Sequence, residues 1–300
     1  MLKIAYHPIY KHPLPEGHKF PMAKYELLPR KLIDEGTCNR ANFFEPGVVA
    51  EKHILAVHDK KYYEDLLAMR IEGIAARRIG FPLSDELILR EKIIADGTVK
   101  ACEFALRHGV AMNIAGGTHH AYSNRAEAFC LLNDQAIAAR YLLKKGKAKQ
   151  ILIIDLDVHQ GNGTAEIFSD DSRVFTFSMH GAGNYPFQKE KSDLDIALKK
   201  GTSDHEYLSL LEEQLEVLIN GLEPDFIFYL CGVDIIETDK LGTLAVSKEG
   251  CRLRDEMVLT SCHRHEIPVQ CSMGGGYSKD IEIIVDAHAN TFRLAKQIWC

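Results

Sequence analysis

The stretch Ile151-Leu152-Ile153-Ile154-Asp155-Leu156-Asp157-Val158-His159 decides how this chain is read. Its aliphatic, mostly β-branched start predicts a strand buried on both faces, as in a parallel sheet. Side chains alternate along a strand, so Asp155, Asp157 and His159 are expected on one face at its carboxyl end. Buried carboxylates are costly unless paired or coordinated, and two of them with an imidazole suit a divalent metal with open positions. The plainer alternative is a polar strand exit with solvated acids.

Outward from this strand, helical patterns alternate with short apolar runs. Helices are expected over residues 101–108, ending near Gly109, over 136–145, over 204–219 and near 248–263. Strands are expected at Val110–Ala115, Phe226–Leu230 and Pro268–Ser272, with a short one at residues 1–6. This alternation predicts an α/β fold: a parallel sheet with helices on both faces. The first ninety residues are rich in proline and loops, with a short helical piece near 62–69, and are expected to supply loops at the rim of a site. No composition break, repeat or flexible linker divides the chain, so residues 1–300 are read as one domain.

Bulk properties narrow the function. A net charge of −6 leaves no electrostatic footprint for direct nucleic-acid binding. No apolar run approaches a membrane span, so no membrane partner is expected. The eight cysteines are scattered with no C-x-x-C pair, which reads as reduced thiols in a cytoplasmic protein.

Four predicted strands end in unusual chemistry. Val110–Ala115 runs into Gly116-Gly117-Thr118-His119-His120, and Ile151–Ile154 into Asp155, Asp157, His159 and Gly161-Asn162-Gly163. Phe226–Leu230 runs into Cys231-Gly232-Val233-Asp234, and Pro268–Ser272 into Met273-Gly274-Gly275-Gly276-Tyr277. Each alone reads as a turn, a cap or a packed aromatic. Together they fit the rule that ligands bind at the carboxyl ends of parallel strands.

Combined with Ala-Phe-Cys-Leu-Leu-Asn-Asp (128–134), these motifs resemble the histone deacetylase superfamily, in its order and over most of the chain from about residue 85. Within it the chain looks most like the class IV branch and its bacterial relatives. The resemblance implies a three-layer arginase/deacetylase-like fold and a zinc-dependent amidohydrolase. It places Asp157, His159 and Asp234 as zinc ligands, a set that also suits ferrous iron. His119 and His120 fall on the family's tandem histidines, with Asp155 and Asn162 holding their outer nitrogens. By the resemblance His120 acts as general base and then acid, and His119 as an electrostatic stabiliser. Tyr277 matches the tyrosine that donates to the developing oxyanion. Such a donor is worth about 2.7–4 kcal/mol in other oxyanion holes. Gly275 and its neighbours bring the backbone close to substrate, Phe129 and Tyr185 wall a tunnel, and Leu241 lies near its mouth. Asp155, Asp157, His159 and Ser178 overlap the family's potassium site.

The implied substrate is an acyl-lysine protein or a small acylated amine, with the acyl length open. Two departures stand out. Ala128 replaces the glycine many relatives carry, and Leu241 replaces the glutamate that polyamine-specific relatives place nearby. An arginase-like enzyme with two manganese ions would need a second Asp-x-Asp cluster, which the Cys231–Asp234 segment does not provide. A catalytically silent scaffold on this fold is the alternative of another class.

Overall fold

In the computed structural model of residues 1–300, eight strands form one sheet. They are β1 (Lys3–Ala5), β2 (Phe43–Phe44), β3 (Val110–Asn113), β4 (Ile151–Asp155), β5 (Val174–Gly181), β6 (Leu194–Leu198), β7 (Phe226–Leu230) and β8 (Val269–Ser272). Their order is β2-β1-β3-β8-β7-β4-β5-β6, and every neighbouring pair is parallel. The four strands that end in polar clusters are β3, β8, β7 and β4, side by side at the centre of the sheet. Every residue of these four is buried, which matches their apolar runs. Their clusters therefore meet at one edge.

Helices pack around the sheet in two groups. Asp85–His108 lies on β3, β8 and β1 and packs against Asp134–Lys144. Elsewhere Ile281–Trp299 packs on Lys24–Asp34 and Lys248–Arg264, and the latter on Asp204–Leu222. No helix is long and apolar enough to cross a membrane.

Several elements differ from the sequence reading. The helix expected over 101–108 begins at Asp85, where the Ser84 hydroxyl accepts from the Leu87 amide. Gly97 obscures it in the sequence, yet a Cβ there would sit 2.6 Å from the Tyr10 hydroxyl. The glycine admits the chain's first segment against the helix. Residues 162–168, which carry no periodic signal in the sequence, form a helix. The chain beyond Tyr277 enters the helix Ile281–Trp299, capped by Asp280. Besides the expected strand at the start of the chain, the first ninety residues contribute β2 and the helix Lys24–Asp34 as well as loops.

One buried ion pair ties the sheet's edge to the helices. Arg254, fully buried, donates to the Leu156 carbonyl at 3.1 Å, the Gly232 carbonyl at 2.7 Å and Asp255 at 2.9 Å. Asp255 also accepts from Tyr229 and from Thr291. Arg254→Leu leaves Asp255 without its counter-charge and frees both carbonyls. It is expected to destabilise by about 3–5 kcal/mol in urea unfolding followed by circular dichroism.

Candidate active site

After Asp155 the chain leaves the sheet, so strand alternation does not carry Asp157 and His159 onto the face of Asp155. Instead the acids fold the backbone onto themselves. Asp155 Oδ1 accepts from the Asp157 amide at 3.2 Å, and Asp157 Oδ1 from the His159 amide at 3.0 Å. Asp155 is thereby turned to His119, while Asp157 and His159 are turned to Asp234. Asp234 accepts from the Val158 amide at 2.9 Å, and Asp157 from the Gly275 amide at 2.8 Å. A Cβ on Gly275 would lie 2.0 Å from Asp234 Oδ2, and one on Gly232 would lie 2.2 Å from Asp157 Oδ2. Only glycine lets these loops close over the acids.

Asp157, His159 and Asp234 are all buried, and each offers a ligand atom within 4.8 Å of the others. His159 Nδ1 is 2.9 Å from Asp157 and 3.2 Å from Asp234. Burial disfavours charge on His159, but hydrogen bonds to the two carboxylates outweigh it and raise its pKa to about 10. Burial, followed by repulsion from Asp157, pushes the Asp234 carboxyl up. Two oxygens with one nitrogen, this close together and buried, suit a catalytic metal with open positions.

The two tandem histidines have different partners. His119 Nδ1 meets Asp155 Oδ2 at 2.6 Å, and His120 Nδ1 meets Asn162 Oδ1 at 2.6 Å. Burial opposes charge on His119, but Asp155 outweighs it and the pKa rises. Burial and then the neighbouring His119 and His159 hold His120 well below the ordinary range, so it is neutral at pH 7. Ser178 stands in register with Asp155 on β5, and its hydroxyl lies 3.0 Å from His180 Nδ1.

A cavity of about 340 Å³ leads to these groups; His119, His120, Asp157, His159, Gly275 and Tyr277 line it together with Phe129, Tyr185 and Leu241. Tyr185 stands edge-on to His120 with ring centroids 5.0 Å apart, and its hydroxyl donates to Glu127. Phe20 and Phe81, from the loop-rich first ninety residues, pack on Phe129 at 5.2 and 4.9 Å. Phe187, 90 % exposed, also lines the cavity and stands edge-on to Tyr185. Phe20, Phe81 and Phe187 lie in loops, where no periodic signal or motif marks them in the sequence.

Residues 18–292 match the family model described as "Histone deacetylase domain". The chain belongs to the histone deacetylase family. A protein of Picosynechococcus sp., described as uncharacterized, is 42% identical over 296 residues, covering 99% of each chain. Histone deacetylase 2 of Arabidopsis thaliana is 29% identical over 286 residues, covering 92% of this chain and 74% of its own. The solved structure of a histone deacetylase homologue complexed with SAHA superposes with TM-score 0.85 at 26% identity, covering 99% of this chain and 84% of that one. The sheet and its helices are thus those of the arginase/deacetylase fold, and the protein is a deacetylase, a hydrolase acting on amides.

This deacetylase carries three further groups that shape the site. Lys24, fully buried, donates to the Gly274 carbonyl at 3.0 Å and lies 5.6 Å from the centre of the Tyr277 ring. Burial lowers its pKa to about 8, against the attraction of Asp234 and Asp157. Ala128 and Phe129 adopt left-handed backbone conformations, φ 44° and 69°. Their amides donate to Arg78 and Ile79 at 2.8 and 2.6 Å, which holds the strained pair in the tunnel wall. Asp134 accepts from the amide and hydroxyl of Thr118 at 2.9 and 2.7 Å, fixing the loop that carries the two histidines.

Two measurements follow from these environments. A divalent metal that fits the trio is expected to raise the melting temperature, with about 4 kcal/mol of stabilisation at a thousandfold excess over Kd. In Asp234→Asn, which loses one charged donor, the metal-dependent rise should collapse whatever the starting melting temperature. The second concerns His58, which accepts from the Asn133 amide and donates to the Tyr122 carbonyl. Burial holds it neutral, with a pKa lowered to about 4. Its unfolded form binds a proton below about pH 6.5 and its folded form does not. Stability should therefore fall as pH drops from 6.5 to 4, by about 3 kcal/mol in urea titrations, and His58→Gln should flatten that slope.

Proposed function

We propose that this deacetylase is zinc-dependent and removes the acyl group from an N-acyl-lysine side chain of a protein. The observation that carries the reading is the cavity itself: an aromatic sleeve that ends at two buried histidines, a tyrosine and the Asp157–His159–Asp234 trio. A methylene stem gains from apolar walls, and an amide at its end would reach the polar floor.

Asp157, His159 and Asp234 would hold the zinc, which when bound supplies a Lewis acid for the amide carbonyl and a water of lowered pKa. His120, neutral and hydrogen-bonded through Nδ1, keeps Nε2 free to take a proton from the attacking water. The same nitrogen then returns the proton to the leaving amine. His119, made basic by Asp155, would lend positive charge beside the reacting centre. Tyr277 would donate a hydrogen bond to the oxyanion from a dry site. The aromatic walls and the Gly275 loop would exclude bulk water. Asp155, Asp157, His159 and Ser178 are proposed to hold a structural potassium ion beside the zinc, and the protein is proposed to work in the cytoplasm.

A small acylated amine is the second substrate class. Leu241 at the mouth cannot attract a second ammonium group, which favours acyl-lysine over an acylpolyamine. Hydrolysis of acetyl-, trifluoroacetyl- and myristoyl-lysine peptides beside acetylpolyamines, with and without zinc, tests the proposal. Metal-dependent turnover of the peptides is expected, with kcat lowered about 10²–10³-fold by Tyr277→Phe and KM nearly unchanged. Turnover that ignores zinc and survives Tyr277→Phe would overturn it.

A further inference from the structure

Behind His120 lies a set of hydrogen bonds that the deacylation chemistry does not use directly. Asn162, fully buried, offers Oδ1 to His120 Nδ1 and donates from Nδ2 to the Tyr122 hydroxyl at 3.0 Å. Tyr122, 3% exposed, donates in turn to Glu190 Oε1 at 3.1 Å. His119, by contrast, meets a carboxylate directly.

An amide has a donor end and an acceptor end of nearly the same shape, so Asn162 alone does not decide which end meets His120. Glu190 decides it. An ionised carboxylate only accepts, so the Tyr122 hydroxyl gives it its single proton. The tyrosine oxygen can then only accept, so Asn162 must turn its NH₂ group toward it. Oδ1 is left facing His120, and the ring proton must sit on Nδ1. Nε2 therefore keeps its lone pair toward the cavity. Without this direction the opposite tautomer, with the proton on Nε2, would present a donor where a base is needed.

Both members are built into place. The Glu190 amide donates to Gln160 at 2.9 Å, and Gln160 donates back to the Glu190 carbonyl at 2.7 Å and to Asp195 at 2.8 Å. Tyr122 has its carbonyl held by His58 at 2.9 Å, and the Arg125 guanidinium lies 3.3 Å from its ring centre.

We propose that Glu190 and Tyr122 are positioning residues: through Asn162 they fix the direction of these hydrogen bonds and hence the tautomer of His120. This deepens the reading of His120 as the base and rests on it.

Glu190→Gln is the decisive variant, because a primary amide of the same shape can donate to Tyr122 and let the whole set reverse. It is expected to lower kcat at least about tenfold, with KM within about twofold. Long-range proton–nitrogen spectra of the zinc-loaded enzyme should show the His120 ring proton moving from Nδ1 to Nε2. Tyr122→Phe, which removes the acceptor for Asn162, should do the same, and Glu190→Asp should recover part of the activity by restoring an acceptor. Wild-type kcat and an unmoved Nδ1 proton in Glu190→Gln would overturn the proposal. Loss of kcat with the Nδ1 proton in place would also overturn it, since the effect would then not pass through the tautomer. Should Tyr122→Phe fail to fold, the half-buried Glu190→Gln carries the test by itself. His120→Ala separates the two readings: an active His120→Ala enzyme discards the base assignment, while the spectra still decide the tautomer.

Discussion

Asp157 and Asp234 are held together in the dry end of the sheet, and their mutual repulsion sets what the surrounding chain must supply. Two buried like charges are tolerable only where positive charge, amide protons or a metal compensates them. His159 sits between them, backbone amides of Val158 and Gly275 point at them, and buried Lys24 adds its field from the far side. The close approach of those amides explains the glycines at 232 and 275, since a side chain at either place would collide with a carboxylate. The same electrostatic need makes the trio a strong candidate for a divalent ion.

Around this centre the fold separates two kinds of polar group. Asp155 ends β4 and Asn162 begins the next helix, and they grip adjacent histidines, yet one is an acid and the other an amide. A carboxylate raises its histidine's basicity, while an amide orients the ring without adding charge. Burial disfavours charge on both rings; Asp155 outweighs it for His119, whereas His120 has no carboxylate to offset it and feels His119 and His159 beside it. The aromatic sleeve above keeps the difference from being erased by solvent.

The centre of the sheet was legible because β3, β4, β7 and β8 are apolar runs that stop abruptly in glycine and polar residues. Family motifs lie on those same junctions, which made the site legible too. Other parts were hidden for identifiable reasons. Alternation along β4 does not reach Asp157 and His159, because the strand ends two residues before Asp157 and side chain–backbone bonds take over. Pro29 lies inside the helix Lys24–Asp34, so that segment read as loop, and Lys24 went unnoticed as a buried cation. Arg254, Tyr122 and Glu190 act on atoms brought near only by the fold, and no local spacing announces such contacts.

The strand order carries a consequence for how this chain reaches its native state. β8, the last strand in sequence, lies between β3 and β7, two strands formed more than forty residues earlier. Until residues 269–272 arrive, β3 and β7 each present an unpaired edge in what will become the interior. Closing that gap is a long-range event, slow on topological grounds and exposed to aggregation while it waits. The loop bearing Gly275 and Tyr277 follows β8 directly, so catalytic competence and completion of the sheet are bound into one late step.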